Sequence, residues 1–308
     1  MPDDGAPLVS ICIPAHDDAG VVADALRSAL RQEYSPLEIL VLDNCSTDDT
    51  WSIATGLAGG DGRVRILRHA ENIGMARNFS ACVSEARGAF VLILCSDDVL
   101  EAGCIDALAR ALRETPNAVL AACGRTLADP MLRPLGLRRA RRRRQEVSGP
   151  RLTRECFVHG NTIGEPSAVM FRRAAALRGF SDEYSQVVDL EMWFHLLERG
   201  SALLLPDALC VIRQHGEQAT RHNLRSGRVV LDKQRLFRRY APGLRGDLSL
   251  VEKLTWDARM ASSMARSAAA GNTLAQGVSE ELFYPGFFSW VIRPIVTLGW
   301  QVRNSLAD

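Results

Sequence analysis

Apolar residues fall in four short blocks through the first hundred positions: "LVSICIP" (8–14), "LEILVLDN" (37–44), "VRILR" (64–68) and "AFVLILC" (89–95). Each has strand length, is rich in β-formers or leucine, and gives way to polar residues or proline, the pattern of strands buried on both faces. Between them the spacing changes. In "VVADALRSALRQ" (21–32) Val22, Ala25, Leu26, Ala29 and Leu30 share one face of a helix. A second helix is expected after "STDDTW", capped by Ser46 or Thr47, with Asp48 and Asp49 beside the positive end of its dipole. "MARNFSACVSEA" (75–86) is a third, "DALARALRETP" (106–116) a fourth, and "AVLAACGRTL" (118–127) a further strand. Strands alternating with helices roughly every 25 residues predict an α/β fold with a mostly parallel central sheet flanked by helices.

Ligands of such sheets bind outside the carboxyl ends of the strands. Those ends carry Pro14 to Asp18, Asp43 with Asn44, His69 to Gly74, and Ser96 to Asp98. Asp97 and Asp98 close a run of six apolar residues. Two carboxylates desolvated side by side repel, so a cation is expected there, and hard oxygen ligands suit Mg2+ or Mn2+. Capping of the helix that follows is the plainer alternative.

The alternation breaks at "DPMLRPLGLRRARRRRQEVSGP", where seven arginines fall between 133 and 144. A solvated, mobile loop and a contact for anionic lipid or a phosphorylated substrate are both open; nucleic acid is disfavoured, because no aromatic platform interleaves the arginines. Beyond lie "DLEMWFHLLERG" (189–200), "RVVLDKQRLFRRYAP" (228–242) and "LSLVEKLTWDARMASSMARSAAAG" (248–271), all helical in pattern. The chain then reaches "LFYPGFFSWVIRPIVTLGWQVRN", whose aromatics are interrupted by Arg293 and Pro294. A spanning helix needs about 20 uninterrupted apolar residues; an amphipathic tail at a membrane interface is expected instead, with Trp290, Trp300, Arg293 and Arg303 at headgroup level.

With 308 residues, 47% of them hydrophobic, the chain can bury a full core. A net charge of +1 gives no global attraction to nucleic acid. The eight cysteines show no CxxC spacing and read as reduced core thiols. "MPDDGAPLVS" has no apolar signal core, so the expected location is cytoplasmic, with peripheral contact at the inner face of the membrane. No G-x-G-x-x-G or G-x-x-x-x-G-K-[ST] follows a strand, which disfavours a dinucleotide-binding fold and a P-loop nucleotidase.

"VSICIPAHDDAGVVADALRSALRQ", "LEILVLDNCSTDDT", "NIGMARN", "FVLILCSDDVL" and "DLEMWFHLLERG", in this order, resemble the family 2 inverting glycosyltransferases of GT-A fold, from about residue 8 to about residue 220. The resemblance implies a nucleotide-sugar donor, a divalent metal (Mn2+ or Mg2+), and single displacement onto a hydroxyl of a glycan or lipid-linked acceptor. By position it makes Asp98 the metal-binding aspartate, Asp97 its neighbour at the ribose and donor sugar, and Asp189 the catalytic base. Pro14, Ala15, His16 and Asp43 fall at the nucleobase, and His215 at the metal or diphosphate. Asn161, Gly164, Glu165 and Ser167 of "GNTIGEPSAV" fall on a loop lining the acceptor side. Arg213 is either a phosphate clamp or a solvated side chain.

The match has departures. Cys95 stands where the family often has a third acid, and Val188 where an acid often precedes the base. Asn44 replaces a common aspartate; its amide can both accept from and donate to uracil, which favours a UDP-sugar. A catalytic domain over 1–222 with a basic insert at 133–146, and a helical C-terminal extension over 223–308, complete the expectation. Its rivals are a nucleotide-sugar hydrolase and a catalytically silent nucleotide-sugar-binding scaffold.

Overall fold

The computed structural model describes residues 5–215, 228–243 and 248–269. They run β1 (Val9–Ala15), α1 (Val22–Leu30), β2 (Leu37–Asp43), α2 (Thr50–Ala58), β3 (Val64–Arg68), α3 (Met75–Glu85), β4 (Phe90–Ile93), β5 (Val99–Leu100), α4 (Cys104–Glu114), β6 (Ala118–Ala128), β7 (Pro134–Arg138) and β8 (Gln145–Ser148). Then follow α5 (Gly149–His159), β9 (Val169–Arg172), α6 (Val188–Leu197) and β10 (Ser201–Arg213). Chain contacts divide them into two units. One holds the residues up to Thr153 with Asn161–Asp182 and Val188–His215; the other holds Arg154–Gly160, Glu183–Val187 and the described residues beyond 215.

In the first unit a single sheet runs β3-β2-β1-β4-β9-β6-β10-β5, with β7 paired to β6 and β8 to β10. Its β3-β2-β1-β4 part is parallel, as the alternation predicts. Beyond it the sheet is mixed: β9 lies antiparallel to both β4 and β6, and β10 is again parallel to β6. Every residue of β1 and β2 is buried, because helices cover both faces. Ile11, Ile13, Leu26, Ile39 and Leu92 are among the fully buried side chains. Each contributes roughly 1.5–3 kcal/mol by burial, and Leu26→Ala is expected to cost about 2–5 kcal/mol.

Two local expectations change. Neither Ser46 nor Thr47 caps α2, which starts at Thr50 after Asp49 with no side-chain cap bond. Both reach across to the loop after β1 instead: Ser46 Oγ accepts from the Asp17 N–H at 3.0 Å, and Asp17 Oδ1 accepts from the Thr47 N–H at 2.7 Å. The arginine-rich segment is not merely a loop. Pro134–Arg138 forms an edge strand on β6 and Gln145–Ser148 one on β10, with the proline at the first strand position, where its missing donor costs little. All eight cysteines are free thiols, six of them buried.

The second unit has its own aromatic core. Phe237 stacks on Trp256 at 4.9 Å and Phe157 meets the same indole edge-on at 5.2 Å. Arg154 forks onto Glu252, and that pairing, with the Ser249 hydroxyl, holds the Glu252 carboxyl down at about 2. The aromatic tail lies outside the described residues. Among the described residues no helix is long and apolar enough to cross a membrane.

Candidate active site

Because β1 to β4 run parallel, their carboxyl ends share one edge, and the polar residues of those ends meet there. Asp98 follows β4 and is only 3% exposed. Its Oδ2 accepts from Ser167 Oγ at 2.6 Å and its Oδ1 from the Arg213 N–H at 3.0 Å. Burial, then the neighbouring charge of Asp97, pushes the Asp98 carboxyl well above the usual carboxylate range. Asp97 Oδ2 lies 2.9 Å from His215 Nε2. Among the described residues no lysine or arginine side chain pairs with either carboxylate.

Cys95 Sγ and a carboxylate oxygen from each of Asp97 and Asp98 lie within 4.8 Å of one another. Burial and the charges of Asp98, Asp97 and Asp189 hold the thiol neutral, well above its ordinary value. This donor set fits a divalent cation: two carboxylates with no lysine or arginine partner among the described residues, with an imidazole and a soft sulfur beside them, suit Mn2+ or Mg2+ through oxygen.

Asp189 opens α6, half-buried, and burial pushes its carboxyl up to about 7, with the Glu165 charge adding and the Leu190 N–H and Arg125 opposing. Asn161 Nδ2 reaches Asp189 Oδ2 at 3.2 Å. The same amide holds the loop, donating to the Gly164 carbonyl at 3.1 Å and accepting from the Ile163 and Gly164 N–H groups. Gly164 sits at φ 151, a backbone conformation that L side chains rarely adopt, and a Cβ there would crowd the Ala168 Cβ at 3.1 Å, so glycine is favoured at this position. Trp193, on the same helix as Asp189, donates to the Gly164 carbonyl at 3.0 Å and packs against Phe171 at 5.8 Å and Phe180 at 6.4 Å. The base candidate is therefore held by a packed indole, not by a free loop. Glu191, two residues on, turns away to pair with Arg178 at 2.6 Å.

Glu165 stands between two arginines. Its Oε2 is 2.5 Å from Arg125 Nε, off the N–H direction, and its Oε1 is 4.0 Å from Arg138. Arg125 and Arg138 are direct partners across the β6–β7 ladder.

Several residues serve differently from their sequence assignment. Ser167 does not line the acceptor side; it lies under the metal candidates, bonding Asp98 and accepting from the Cys95 N–H at 3.0 Å. Arg213 is not solvated. At 5% exposure its guanidinium donates to the Asp97 and Pro130 carbonyls and to Asp24, tying the end of β10 to the loop after β4. Asn44 spends its amide on Asn72 Oδ1 at 2.8 Å and the Ile73 N–H at 2.9 Å, so the uracil preference argued from it has no support in the geometry. Asp43 is buried and taken by Ser46 and by Arg68 at 3.0 Å. Pro14 and Ala15 end β1 in the interior, and His16 is exposed with its Nε2 2.8 Å from Asn72 Nδ2. Asp18, accepting from Ser96 Oγ at 2.6 Å, joins the rim beside Asp97. Arg125 escaped the sequence; a charge inside "AACGRTL" was the available signal.

The sequence model of glycosyl transferase family 2 matches residues 10–179. An uncharacterized protein of Mycobacterium tuberculosis is 35% identical over 241 residues, 75% of each chain. Chondroitin synthase of Pasteurella multocida is 32% identical over 219 residues, 71% of this chain but only 22% of the synthase. In fold, the structure resembles S. aureus TarS 1-349, solved with UDP-GlcNAc (TM-score 0.60, 15% identity, 95% and 91% of the two chains). It also resembles the mannosyltransferase PcManGT of Pyrobaculum calidifontis, solved with GDP-Man and Mn2+ (TM-score 0.58, 20% identity, 100% and 90%). With more than half of its length matched, the chain belongs to glycosyl transferase family 2 and is a glycosyltransferase of GT-A fold.

Proposed function

We propose that the enzyme transfers a sugar from a nucleoside-diphosphate sugar to a hydroxyl of a glycan or lipid-linked acceptor, with inversion at the anomeric carbon and with Mn2+ or Mg2+ bound. Its place is the cytoplasm, peripheral to the inner face of the membrane. The catalytic part is 1–222 and the helical remainder an extension. One observation carries the assignment: paired carboxylates with no lysine or arginine partner among the described residues follow β4, while a separate carboxylate, raised by burial, stands at the start of α6. The solved relatives in fold, one with UDP-GlcNAc and one with GDP-Man and Mn2+, support a donor of this class.

Asp97 and Asp98 would hold the metal, with His215 and Cys95 at hand. When bound, the cation offsets charge on the departing nucleoside diphosphate. Ser167 and the Arg213 N–H orient the Asp98 oxygens. Asp189 accepts the acceptor's proton at a carboxylate oxygen, and Asn161 fixes the other end of that carboxylate. A carboxyl raised to about 7 is a stronger base than an exposed aspartate and is still about half ionised near pH 7.

A thermal-shift screen of nucleoside diphosphates with and without manganese tests the donor class, because a ligand that binds the native state raises its melting temperature with concentration. Manganese-dependent stabilisation by at least one nucleoside diphosphate is expected. Its absence for all bases would remove the donor assignment.

A further inference from the structure

We propose that the hairpin of β6 and β7, continuing through the turn to β8, is a docking surface for an anionic lipid bilayer. This deepens the membrane side of the proposed function and names the surface that makes the contact.

Three large apolar side chains stand in water on this hairpin: Met131 at 74%, Leu135 at 65% and Leu137 at 50% exposure. Leu135 and Leu137 are two residues apart on a strand and so share one face. The intervening and following positions belong to the opposite face, where Arg138 turns toward Glu165. The strand therefore presents leucines outward and an arginine to the acceptor-side loop.

Beside the leucines, positions 130–145 carry seven arginines and no acid. Arg133 pairs with Asp129 and Arg144 with Glu114. Arg139, Arg142 and Arg143 are exposed and have no ion-pair partner among the described residues. Uncompensated positive charge adjoining exposed leucine matches a bilayer of negative headgroups over an acyl interior. A free anion or a polyanionic glycan would use the arginines but leave the leucines in water, and a single-stranded nucleic acid would want aromatic platforms, which the hairpin lacks.

Docking on this face would set the loop carrying Glu165 and Asn161 near the lipid surface, where a lipid-linked hydroxyl is delivered in two dimensions. None of Leu135, Leu137, Arg139, Arg142 and Arg143 belongs to the catalytic or metal-binding set.

The test is vesicle co-sedimentation of the full chain, using phosphatidylcholine with and without phosphatidylglycerol at low and high salt. Two variants are compared, Leu135→Ser/Leu137→Ser and Arg139→Glu/Arg142→Glu/Arg143→Glu, with circular dichroism melts as the folding control. Wild type is expected to sediment with anionic vesicles only. The triple variant should lose at least roughly 100-fold in partition coefficient, since each basic residue near such a surface is worth about a factor of five, and the serine variant should also lose binding. Equal binding to neutral vesicles, no binding at all (as for a surface that meets an acidic protein), or wild-type binding by either folded variant would overturn the proposal. Vesicle binding is read without substrate. Its failure leaves the transferase assignment intact, and an inactive chain that still sediments leaves the docking surface intact.

Discussion

Asn161 Nδ2 stands 3.2 Å from Asp189 Oδ2. The amide is itself anchored by three backbone groups of its own loop, so it fixes the carboxylate without neutralising it. Asp189→Asn should keep metal-dependent nucleotide binding and lose about 10²–10⁴-fold in turnover, the usual contribution of a positioned base. Donor affinity and product formation measured on the same variant decide it. Unchanged turnover would remove Asp189 as base.

The carboxyl raised to about 7 sets the direction of the pH profile. A base acts when ionised, so kcat/KM is expected to climb as pH passes through about 7 and to level above it, and the acid limb should vanish in Asp189→Asn.

Stability moves the opposite way. The folded-state value lies above the ordinary 3.8, so folding favours the protonated form; that stability is full below about pH 4 and is lost as pH rises through about 7. At pH 8, Asp189→Asn is therefore expected to melt higher than wild type, by roughly 1–3 kcal/mol, and the gap should close at pH 4. Equal melting at both pH values would show that burial does not oppose ionisation here.

Asp98→Asn should abolish manganese-dependent stabilisation by a nucleoside diphosphate while leaving the fold intact, since the amide oxygen can accept from the Arg213 N–H while the amide NH2 donates to the Ser167 hydroxyl, which turns from donor to acceptor. Calorimetry with manganese alone and with nucleotide reads this. Undiminished metal-dependent binding would move the metal elsewhere.

Arg213→Met should destabilise by on the order of 2–3 kcal/mol, because it strips charged hydrogen bonds from the Asp97 carbonyl, the Pro130 carbonyl and Asp24 in a buried setting. Chemical denaturation measures it. A phosphate clamp would instead lose donor affinity at unchanged stability.

The strands β1, β2 and β4 were legible because burial on both faces writes them as nearly unbroken apolar runs, whereas β3, at the sheet edge and only partly buried, showed by its short β-rich run between arginines; the carboxyl-edge rule then placed Asp97 and Asp98. β10 was not. Pro206 splits "ALLLPDALCVIR", and the structure absorbs it with register shifts between Leu204 and Cys210, an irregularity that local pattern does not announce. β7 was hidden because all five of its residues are exposed and it runs into the arginine cluster, so no buried face marks it in the sequence. Position named Asp189 as a candidate, but its raised carboxyl depends on burial and on Glu165 and Arg125, which arrive from other elements. Asn44 and Arg213 misled for the same reason: residue type suggested a ligand contact, and tertiary neighbours had already taken their polar groups.

Arg125 and Arg138 face each other across one ladder, a placement that like charges disfavour, and Glu165 is what lets them stay. The three positions thus form a unit of inheritance rather than three independent sites. Losing the acid while keeping both bases would leave the hairpin pushing itself off the sheet. Related chains that replace Glu165 by a neutral residue are expected to have replaced Arg125 or Arg138 as well, so charge at these three positions should covary.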